Sequence, residues 1–394
     1  LLDSIDNSGT ISGTQHGVYL KSNLTLTGGI NNSGSINKGV YLQSSSVLTQ
    51  GINNSGFIGQ SKIGLGLFGS TLSGGVVNQS SGEITGVGKL GKGISVDNSS
   101  ANGGILNLGL ISGGSYGIYI YQSSLTGGIT NLGSISGGNI GVHVTQSTLT
   151  GGIINSGSIS GGNVGVGAVG STLKGGITNS GLISGTSVAG ILLTGSSLDG
   201  GIINSGTISG GIDGIGLRSS TLSGGITNAG LIQGTEYAIY AGQSSSVSGG
   251  ILVTGTSAQF IGDIYAPNVG LTLGSGAEFT NSNAMSLSGV LVSSGATFNL
   301  TNAVSSSSSL SGNINVGNGN GYFTNQGTVD VGSRGASATP TITGNYTQDA
   351  GGTFKTSVVS DTEYGQMYVT GSATLAGTAQ VTASDVASLV GSTL

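Results

Sequence analysis

Cysteine and tryptophan are absent from this sequence, and proline and histidine each occur only twice in 394 residues. A chain without Cys can cross an oxidising compartment unfolded without being locked by disulfides. Only His16 and His143 could serve as the base of a Ser-His-Asp site, and neither lies in a recognisable motif. With neither histidine in such a motif, the sequence gives no sign of a hydrolytic triad.

Charge is also scarce, since 6% of the residues are Asp, Glu, Lys or Arg and the net charge is −5. Such a chain lacks the basic stripe that would neutralise phosphates, so we expect no nucleic-acid partner and no attraction to anionic membrane surfaces. No run of about 18 apolar residues exists, so we expect no direct membrane insertion as a helix. The start at Leu1, without Met or a signal-like segment, suggests a processed or excised piece.

Glycine is abundant, with 81 residues, and much of it belongs to a repeated phrase such as GGIINSGSISGG at Gly151 or GGITNSGLISG at Gly175. The Asn of each phrase recurs every 22 to 29 residues and most often every 24. An internal repeat of this length is typical of a solenoid. The recurring residues are Asn7, Asn32, Asn54, Asn78, Asn107, Asn131, Asn155, Asn179, Asn204 and Asn228.

Apolar residues within each repeat alternate with a period of two, which indicates strands. Ile129 and Ile135 flank Asn131, and later in each repeat come an apolar pair such as Val142 and Val144 and a single Leu such as Leu149. Three short strands per coil of about 24 residues predict an all-β fold, a right-handed parallel β-helix. Helical solenoids are excluded because Gly and Ser at this density disfavour helices.

The recurring Asn has the same strand parity as the inward Ile two residues before it. We therefore predict that its side chain lies inside a bend and that successive amides form a hydrogen-bonded Asn ladder along the solenoid. The Gly two residues after the Asn, as in Gly133, Gly157 and Gly181, would supply a positive φ or a close backbone approach.

The repeat weakens along the chain, which predicts three regions of one solenoid. Residues 1–253 carry the regular repeat, and residues 254–340 keep strand alternation in less regular coils. Residues 341–394 differ in composition and are predicted to be a C-terminal cap, because a solenoid exposes open strand edges at its ends.

This last segment resembles the C-terminal end of the passenger domains of Gram-negative autotransporters, in a pattern of Y-T-Q, then G-G-T, then Y-x-x-x-x-V-x-G-x-A-x-L-x-G. The resemblance covers about 40 residues and implies a passenger secreted through an outer-membrane β-barrel, which is not present in this chain, with a terminal segment that helps folding. The matching residues are Gly344, Asn345, Tyr346, Thr347, Gln348, Gly351, Gly352, Thr353, Tyr364, Gly365, Gln366, Val369, Thr370, Gly371, Ala373, Leu375 and Gly377.

Four residues lie twelve positions after the Asn of their coil and are predicted to face outward, namely Tyr19, Tyr119, His143 and Tyr240. They could form an aromatic contact strip for a glycan or a protein. The alternative, which we favour, is ordinary cross-strand stacking on a solvent face.

Charged residues offer few further candidates. Asp213 and Glu236 fall near one turn column and could be an exposed carboxylate pair, as a glycosidase would need. Lys174 and Asp199 stack one coil apart, which predicts an exposed ion pair of little energetic worth. We expect no metal and no cofactor, because Asp213 stands alone among coils that lack Asp.

The outward positions are mostly Ser, Thr, Asn and Gly, which suits binding through many weak contacts. We therefore predict an adhesin or self-associating passenger at the bacterial cell surface or secreted from it, tethered to or released from its barrel. Its partner would be a second copy or a host or matrix glycan or protein, with aggregation and biofilm formation as the outcome. The alternatives are a polysaccharide-degrading enzyme built on a β-helix and a cytotoxic passenger.

Overall fold

In a computed structural model, the chain is a β-solenoid of about 14 turns, in which parallel strands stack about 24 residues apart. The structure describes residues 3–242, 244–280, 284–299, 314–316, 322–332, 340–360 and 364–383, and within these ranges it contains no helix. Contacts divide the chain into Leu1–Gly224, here unit 1, and Gly225–Leu394, here unit 2. This division falls earlier than residue 253, where the regular repeat ends.

Unit 1 consists of coils with four strand segments each. First strands are Ile5–Asn7, Ile30–Asn32, Ile52–Asn54, Val76–Asn78, Ile105–Asn107, Ile129–Asn131, Ile153–Asn155, Ile177–Asn179 and Ile202–Asn204. Second strands are Thr10–Ser12, Ser35–Asn37, Phe57–Ser61, Glu83–Gly86, Leu110–Gly113, Ser134–Gly137, Ser158–Gly161, Leu182–Gly185 and Thr207–Gly210. Third strands are Val18–Lys21, Val40–Gln43, Ile63–Phe68, Lys92–Asp97, Tyr116–Tyr121, Ile140–Thr145, Val164–Val169, Ala189–Thr194 and Asp213–Arg218. Fourth strands are Thr25–Leu26, Val47–Leu48, Thr71–Leu72, Ser100–Ala101, Ser124–Leu125, Thr148–Thr150, Thr172–Lys174, Ser197–Asp199 and Thr221–Leu222.

The coils therefore have one strand segment more than the three that alternation predicted. The stretch around each Asn was expected to be a single strand, but the chain turns directly after the Asn and divides it into a first and a second strand. The Ile four residues after the Asn still points inward, because the next strand resumes with the same alternation. Ile135 and Ile159, for example, are fully buried.

Equivalent strands of successive coils pair in parallel and in register within unit 1. Ile129 lies opposite Ile153, Asn131 opposite Asn155, and Leu149 opposite Leu173. Identical residues therefore stack at about 4.8 Å, the spacing of strands in a sheet. Because each coil completes the hydrogen bonds and the core of its neighbours, adjacent coils require the same residue type at the same position.

Two glycine positions explain why the phrase is so rich in Gly. The Gly two residues after the Asn makes a close backbone approach, since a Cβ on Gly157 would overlap the carbonyl oxygen of Gly133 in the preceding coil. The left-handed backbone occurs elsewhere, at the Gly that precedes every first strand of unit 1 except Ile5–Asn7, as at Gly152 with φ 67°. For the Gly two residues after the Asn, the sequence was compatible with either a positive φ or a close backbone approach. The structure shows the close approach.

Unit 2 continues the parallel stacking with longer and less uniform strands. They are Ile226–Asn228, Leu231–Ala241, Ser246–Val247, Ile251–Val253, Gln259–Leu273, Glu278–Thr280, Met285–Val292, Thr297–Asn299, Ile314–Asn315, Tyr322–Asn325, Thr328–Asp330, Thr341–Thr343, Asn345–Gln348, Thr353–Val358, Tyr368–Val369, Ala373–Leu375 and Thr378–Ala383. The strands described between residues 341 and 383 pair in parallel with preceding coils and with one another, and one isolated antiparallel bridge joins Val358 and Tyr364. The remainder of the predicted cap, residues 384–394, lies outside the described residues.

The core of unit 2 contains a row of aromatic rings among its aliphatic side chains, whereas the core of unit 1 is aliphatic. Phe279, Phe298, Phe323 and Tyr346 are at most 1% exposed, and their rings follow one another at centroid distances of 5.5, 5.7 and 5.3 Å. Rings at this separation add contact energy beyond the area that they bury. The fading of the Gly-rich phrase thus coincides with a change in how the interior is filled.

The close approach of coils predicts different effects for the same substitution at two glycines of one coil. Gly157→Ala should lower the free energy of unfolding by about 1–3 kcal/mol, because the new methyl group overlaps the backbone of the preceding coil. Gly167→Ala is the control, since Gly167 lies in a strand of the same coil and the atom nearest to its added Cβ, in the His143 side chain, is 3.6 Å away, an ordinary van der Waals distance. Urea unfolding of both variants measures the difference, and equal stability would contradict the explanation.

Candidate functional site

The inward asparagines of unit 1 form a continuous hydrogen-bonded ladder. Nδ2 of Asn131 donates to Oδ1 of Asn155 at 2.8 Å and to the carbonyl oxygens of Gly133 and Ser158 at 3.2 and 3.0 Å. The same amide-to-amide bond, 2.7–2.8 Å long, runs from Asn7 to Asn204. These side chains are buried and their hydrogen bonds are internal, so the ladder stabilises the bend and has no chemistry to offer a ligand.

In unit 2 the column of the ladder begins with an Asn, continues with three aliphatic residues and then returns to amide side chains. Asn228 donates to the carbonyl oxygens of Gly230 and Gln259, and Val253, Leu273 and Val292 follow in the same column. Asn325 then donates to Gln348 Oε1 at 3.5 Å and to Tyr346 Oη at 3.3 Å. Burial raises the pKa of Tyr346 to about 12. Two residues of the Y-T-Q motif therefore belong to the core, where Gln348 extends the amide column.

Unit 1 also contains a ladder of serines, which was not predicted from the sequence. The backbone N–H of Ser123 donates to Ser147 Oγ at 3.0 Å, and that of Ser147 donates to Ser171 Oγ at 3.2 Å. Each Oγ in turn donates to the carbonyl oxygen two residues earlier, as Ser147 does to Thr145. The signal was present, since a Ser lies eight residues before each recurring Asn from Asn54 to Asn228. Serine is common throughout the chain, and this recurrence did not stand out.

An open groove of about 830 Å³ lies along this turn in unit 1 and is lined by Ser, Thr, Asn and Gln. Asn98, Gln122 and Gln146 lie at its left-handed corners, with φ of 46–51°. Gln122 Nε2 donates to Gln146 Oε1 at 3.2 Å, so neighbouring coils also pair their exposed amides. The groove contributes hydrogen-bonding groups at one-coil intervals, and it has no buried catalytic group among its lining residues.

The predicted contact strip is interrupted. Tyr19 is 39% exposed and lies opposite Tyr41, but Gly66 and Ser95 occupy the next two coils of that column. Tyr119 and His143 then lie opposite each other, and Gly167 follows. Unit 1 therefore carries two separate aromatic clusters, in which Tyr19 and Tyr41 both contact the ring of His16 and Tyr119 contacts that of His143.

The second cluster surrounds a lysine. The ammonium of Lys92 lies 3.6 Å from the centroid of the Tyr119 ring, and His143 lies 5.7 Å from that ring and 5.4 Å from Tyr116. Burial lowers the pKa of Lys92, with a further lowering from Lys62, and burial raises the pKa of Tyr119. Burial and the nearby Lys92 lower the pKa of His143 to about 4, so its imidazole is neutral at physiological pH.

Tyr240, the fourth residue predicted for the strip, lies in unit 2 and belongs to a third aromatic cluster. Its ring stacks on Tyr265 at 5.5 Å and an interplanar angle of 16°, and Tyr237 packs against both rings. The structure thus places each predicted aromatic residue among rings that come from neighbouring positions, several of which the sequence analysis did not single out.

Asp213 was predicted to be exposed in a turn, and this is wrong. It begins a third strand, is 2% exposed, and accepts a hydrogen bond from Arg218 Nη2 at 3.2 Å. Glu236 lies in unit 2, near Asp263. Burial of the Asp263 carboxyl raises its pKa, and the negative charge of Glu236 raises it further. The carboxylate near Glu236 within that unit is therefore Asp263, which the sequence analysis did not consider.

The predicted ion pair between Lys174 and Asp199 has the expected register but is not formed. The two residues lie opposite each other, yet the structure describes no salt bridge between them. Asp199 Oδ1 accepts a hydrogen bond from Ser223 Oγ at 3.1 Å instead. A short hydroxyl at a fixed position competes well with a flexible ammonium, whose ordering costs side-chain entropy.

Neither histidine is assembled into a triad, because Nδ1 of His16 and of His143 has no hydrogen-bond partner and so no carboxylate orients either ring. No cluster of three His, Cys, Asp or Glu side chains suited to a metal ion occurs within the described ranges. Those ranges also contain no helix whose length and hydropathy would let it cross a bilayer.

Compared with family models, with curated proteins and with solved structures, the chain matches none of them. The resemblance to autotransporter passengers therefore depends on the C-terminal residues alone, and the function must be argued from the geometry of the solenoid.

The burial of His143 predicts an unusual titration. Its imidazole should protonate with a midpoint of about 4, observable by NMR, with His143→Asn identifying its signals. Since the unfolded chain binds this proton near pH 6.5, the stabilising contribution is complete above pH 6.5 and is lost as the pH falls towards 4. A midpoint close to 6.5 would show that the ring is open to solvent.

Proposed function

We propose that this chain is an adhesive scaffold of the autotransporter passenger type, displayed at or released from a bacterial surface, and that it acts by self-association. The proposal is supported first by what unit 1 offers to solvent. Its interior is filled by uniform ladders, whereas its outer face repeats hydrogen-bonding side chains at every coil. A surface of this kind supports many weak, parallel contacts, whose sum gives avidity.

The observation that carries the proposal is an exposed apolar stripe in unit 1, defined as Leu132, Ile154, Leu182 and Ile203. These side chains are 53, 46, 38 and 49% exposed. They lie around the same Asn bend, one in each of four consecutive coils. They occupy three different positions around the bend, with polar residues between them, and exposed apolar side chains concentrated in one region favour protein contacts.

The electrostatics of unit 1 favour a second copy as the partner. Residues 1–224 contain seven Lys and Arg and six Asp and Glu, so two such surfaces repel each other little. Proteins near zero net charge associate readily because no long-range repulsion opposes contact. The interruption of the aromatic strip weakens the alternative of one continuous aromatic contact surface along unit 1.

The hypothesis of a polysaccharide-degrading enzyme stays a prediction, and we identify no catalytic site for it in unit 1. Turnover of neutral and acidic polysaccharides by the purified chain and by Asp213→Asn and Glu236→Gln variants is the assay that bears on it. Since Asp213 is buried against Arg218, any loss of activity in that variant would have to be compared with its stability.

The stripe can be removed with residues that the chain itself uses at the same positions. Thr130 and Thr178 occupy the column of Ile154, and Ser156 occupies that of Leu132. The variant L132S/I154T/L182S/I203T should therefore fold normally and self-associate at least tenfold more weakly. Sedimentation of the purified chain and clumping of cells that display it measure the effect.

A matched control changes four polar residues in the same columns, within three of the same coils, and leaves the total number of methyl groups unchanged, namely Thr130→Ser, Ser156→Thr, Ser158→Thr and Thr178→Ser. It should associate as the parent chain does. If the stripe variant clumps as strongly as this control, self-association through the stripe is wrong.

A further inference from the structure

One outward column of unit 2 changes abruptly from aromatic to small polar residues. From coil to coil it contains Tyr240, Tyr265, Ser286, Asn315 and Thr343, each in register with the next. Tyr240 and Tyr265 stack, but Ser286 is too short to continue the stack. One face of the Tyr265 ring is therefore left without an aromatic neighbour in the following coil.

A groove of about 350 Å³ lies at this step, within unit 2. Its lining includes Tyr237, Asp263, Tyr265, Ser286, Asn315 and Thr343. Its size lies within the range of about 300–1,000 Å³ that is usual for small-ligand sites. A flat ring thus forms one wall, and hydroxyl, amide and carboxylate groups of successive coils, about 4.8 Å apart, form the floor.

These groups match the two faces of a sugar. The C–H face of a pyranose packs on an aromatic ring, and its hydroxyls donate to carboxylates and exchange hydrogen bonds with Ser, Thr and Asn. Repetition of small polar groups from one coil to the next suits a chain of linked sugars better than a single compact ligand, because successive units can meet successive coils.

Charge decides between classes of glycan. Asp263 lies in the groove, and Glu236 is close enough to raise its pKa further. Residues 225–394 contain eight Asp and Glu but only two Lys and Arg, and Lys355 is already paired with Asp330 at 2.9 Å. An acidic glycan would therefore be repelled, whereas hydroxyl donors would be accepted.

The comparable cluster in unit 1 lacks this opening. The ammonium of Lys92 covers a face of the Tyr119 ring at 3.6 Å from its centroid. A sugar could pack on that face only by displacing the lysine. The two clusters thus share their rings but differ in the feature that a sugar requires.

We propose that the groove beside Tyr265 binds uncharged glycan chains, with the sugar stacked on the Tyr265 ring and its hydroxyls bonded to Asp263 and to the Ser286, Asn315 and Thr343 column. This inference rests on the proposed adhesive function and names a ligand class and a site for it. It concerns unit 2 alone, and the stripe in unit 1 takes no part in it.

Calorimetric titration of the purified full chain tests the site, with cellohexaose, laminarihexaose and mannohexaose as uncharged probes and hexagalacturonate as the acidic probe. At least one uncharged hexasaccharide should bind at least tenfold more tightly than hexagalacturonate. Tyr265→Ala should weaken that binding at least tenfold. Tyr119→Ala is the control and should leave it unchanged.

A second variant guards against misfolding of the first. Ser286→Tyr continues a column that already contains tyrosines, so it should preserve the fold, seen by circular dichroism, while filling the groove and weakening binding at least tenfold. The proposal is overturned if no uncharged probe binds, if hexagalacturonate binds as tightly, or if neither Tyr265→Ala nor Ser286→Tyr weakens binding. Because these titrations need no cells and no self-association, such a failure would leave the clumping of the stripe variant to judge the adhesive function separately.

Discussion

The structure depends on one constraint, which is that every coil has its hydrogen bonds and its core completed by the next coil. Asn155 shows this most clearly, since its amide accepts from Asn131 and donates to Asn179. A coil in isolation would leave such amides buried without partners and would bury too few aliphatic side chains to offset the ordering of its backbone. The sequence is therefore repetitive, because each coil needs the same residues as its neighbours to complete their hydrogen bonds and core contacts.

The same constraint separates the roles of inward and outward residues. In unit 1 most inward positions are Ile, Leu, Val, Ala, Asn or Ser, whereas an outward column can change from Thr to Ile, or in unit 2 from Tyr to Ser, without disturbing the ladders. Substitutions at outward positions of single coils can therefore create a binding surface without changing the core. The apolar stripe of unit 1 and the step beside Tyr265 in unit 2 are two such local departures on otherwise regular stacks.

The sequence predicted the features that recur in every coil, but not the contacts that depend on one particular neighbouring side chain. The Asn column and the outward aromatic positions follow from spacing alone, because strand parity fixes the side of the sheet on which each residue lies. Asp213 could not be placed in this way, since its burial depends on the Arg218 side chain of its own strand. Nor could Asp199, whose partner is the hydroxyl of Ser223 and not the opposing Lys174. Beyond residue 253 the Gly-rich phrase is lost, so no repeated spacing predicted the pairing of Asn325 with Gln348.

Removal of one complete coil tests the central claim most directly. Deletion of residues 152–175 joins Gly151 to Gly176 and brings Asn131 next to Asn179, with an unchanged local sequence at the junction. Deletion of residues 152–163 removes half a coil and places unlike residues opposite each other. Circular dichroism and urea unfolding of the two variants should show a folded solenoid of nearly parental stability for the first and loss of structure for the second. Equal disruption by both deletions would contradict the account.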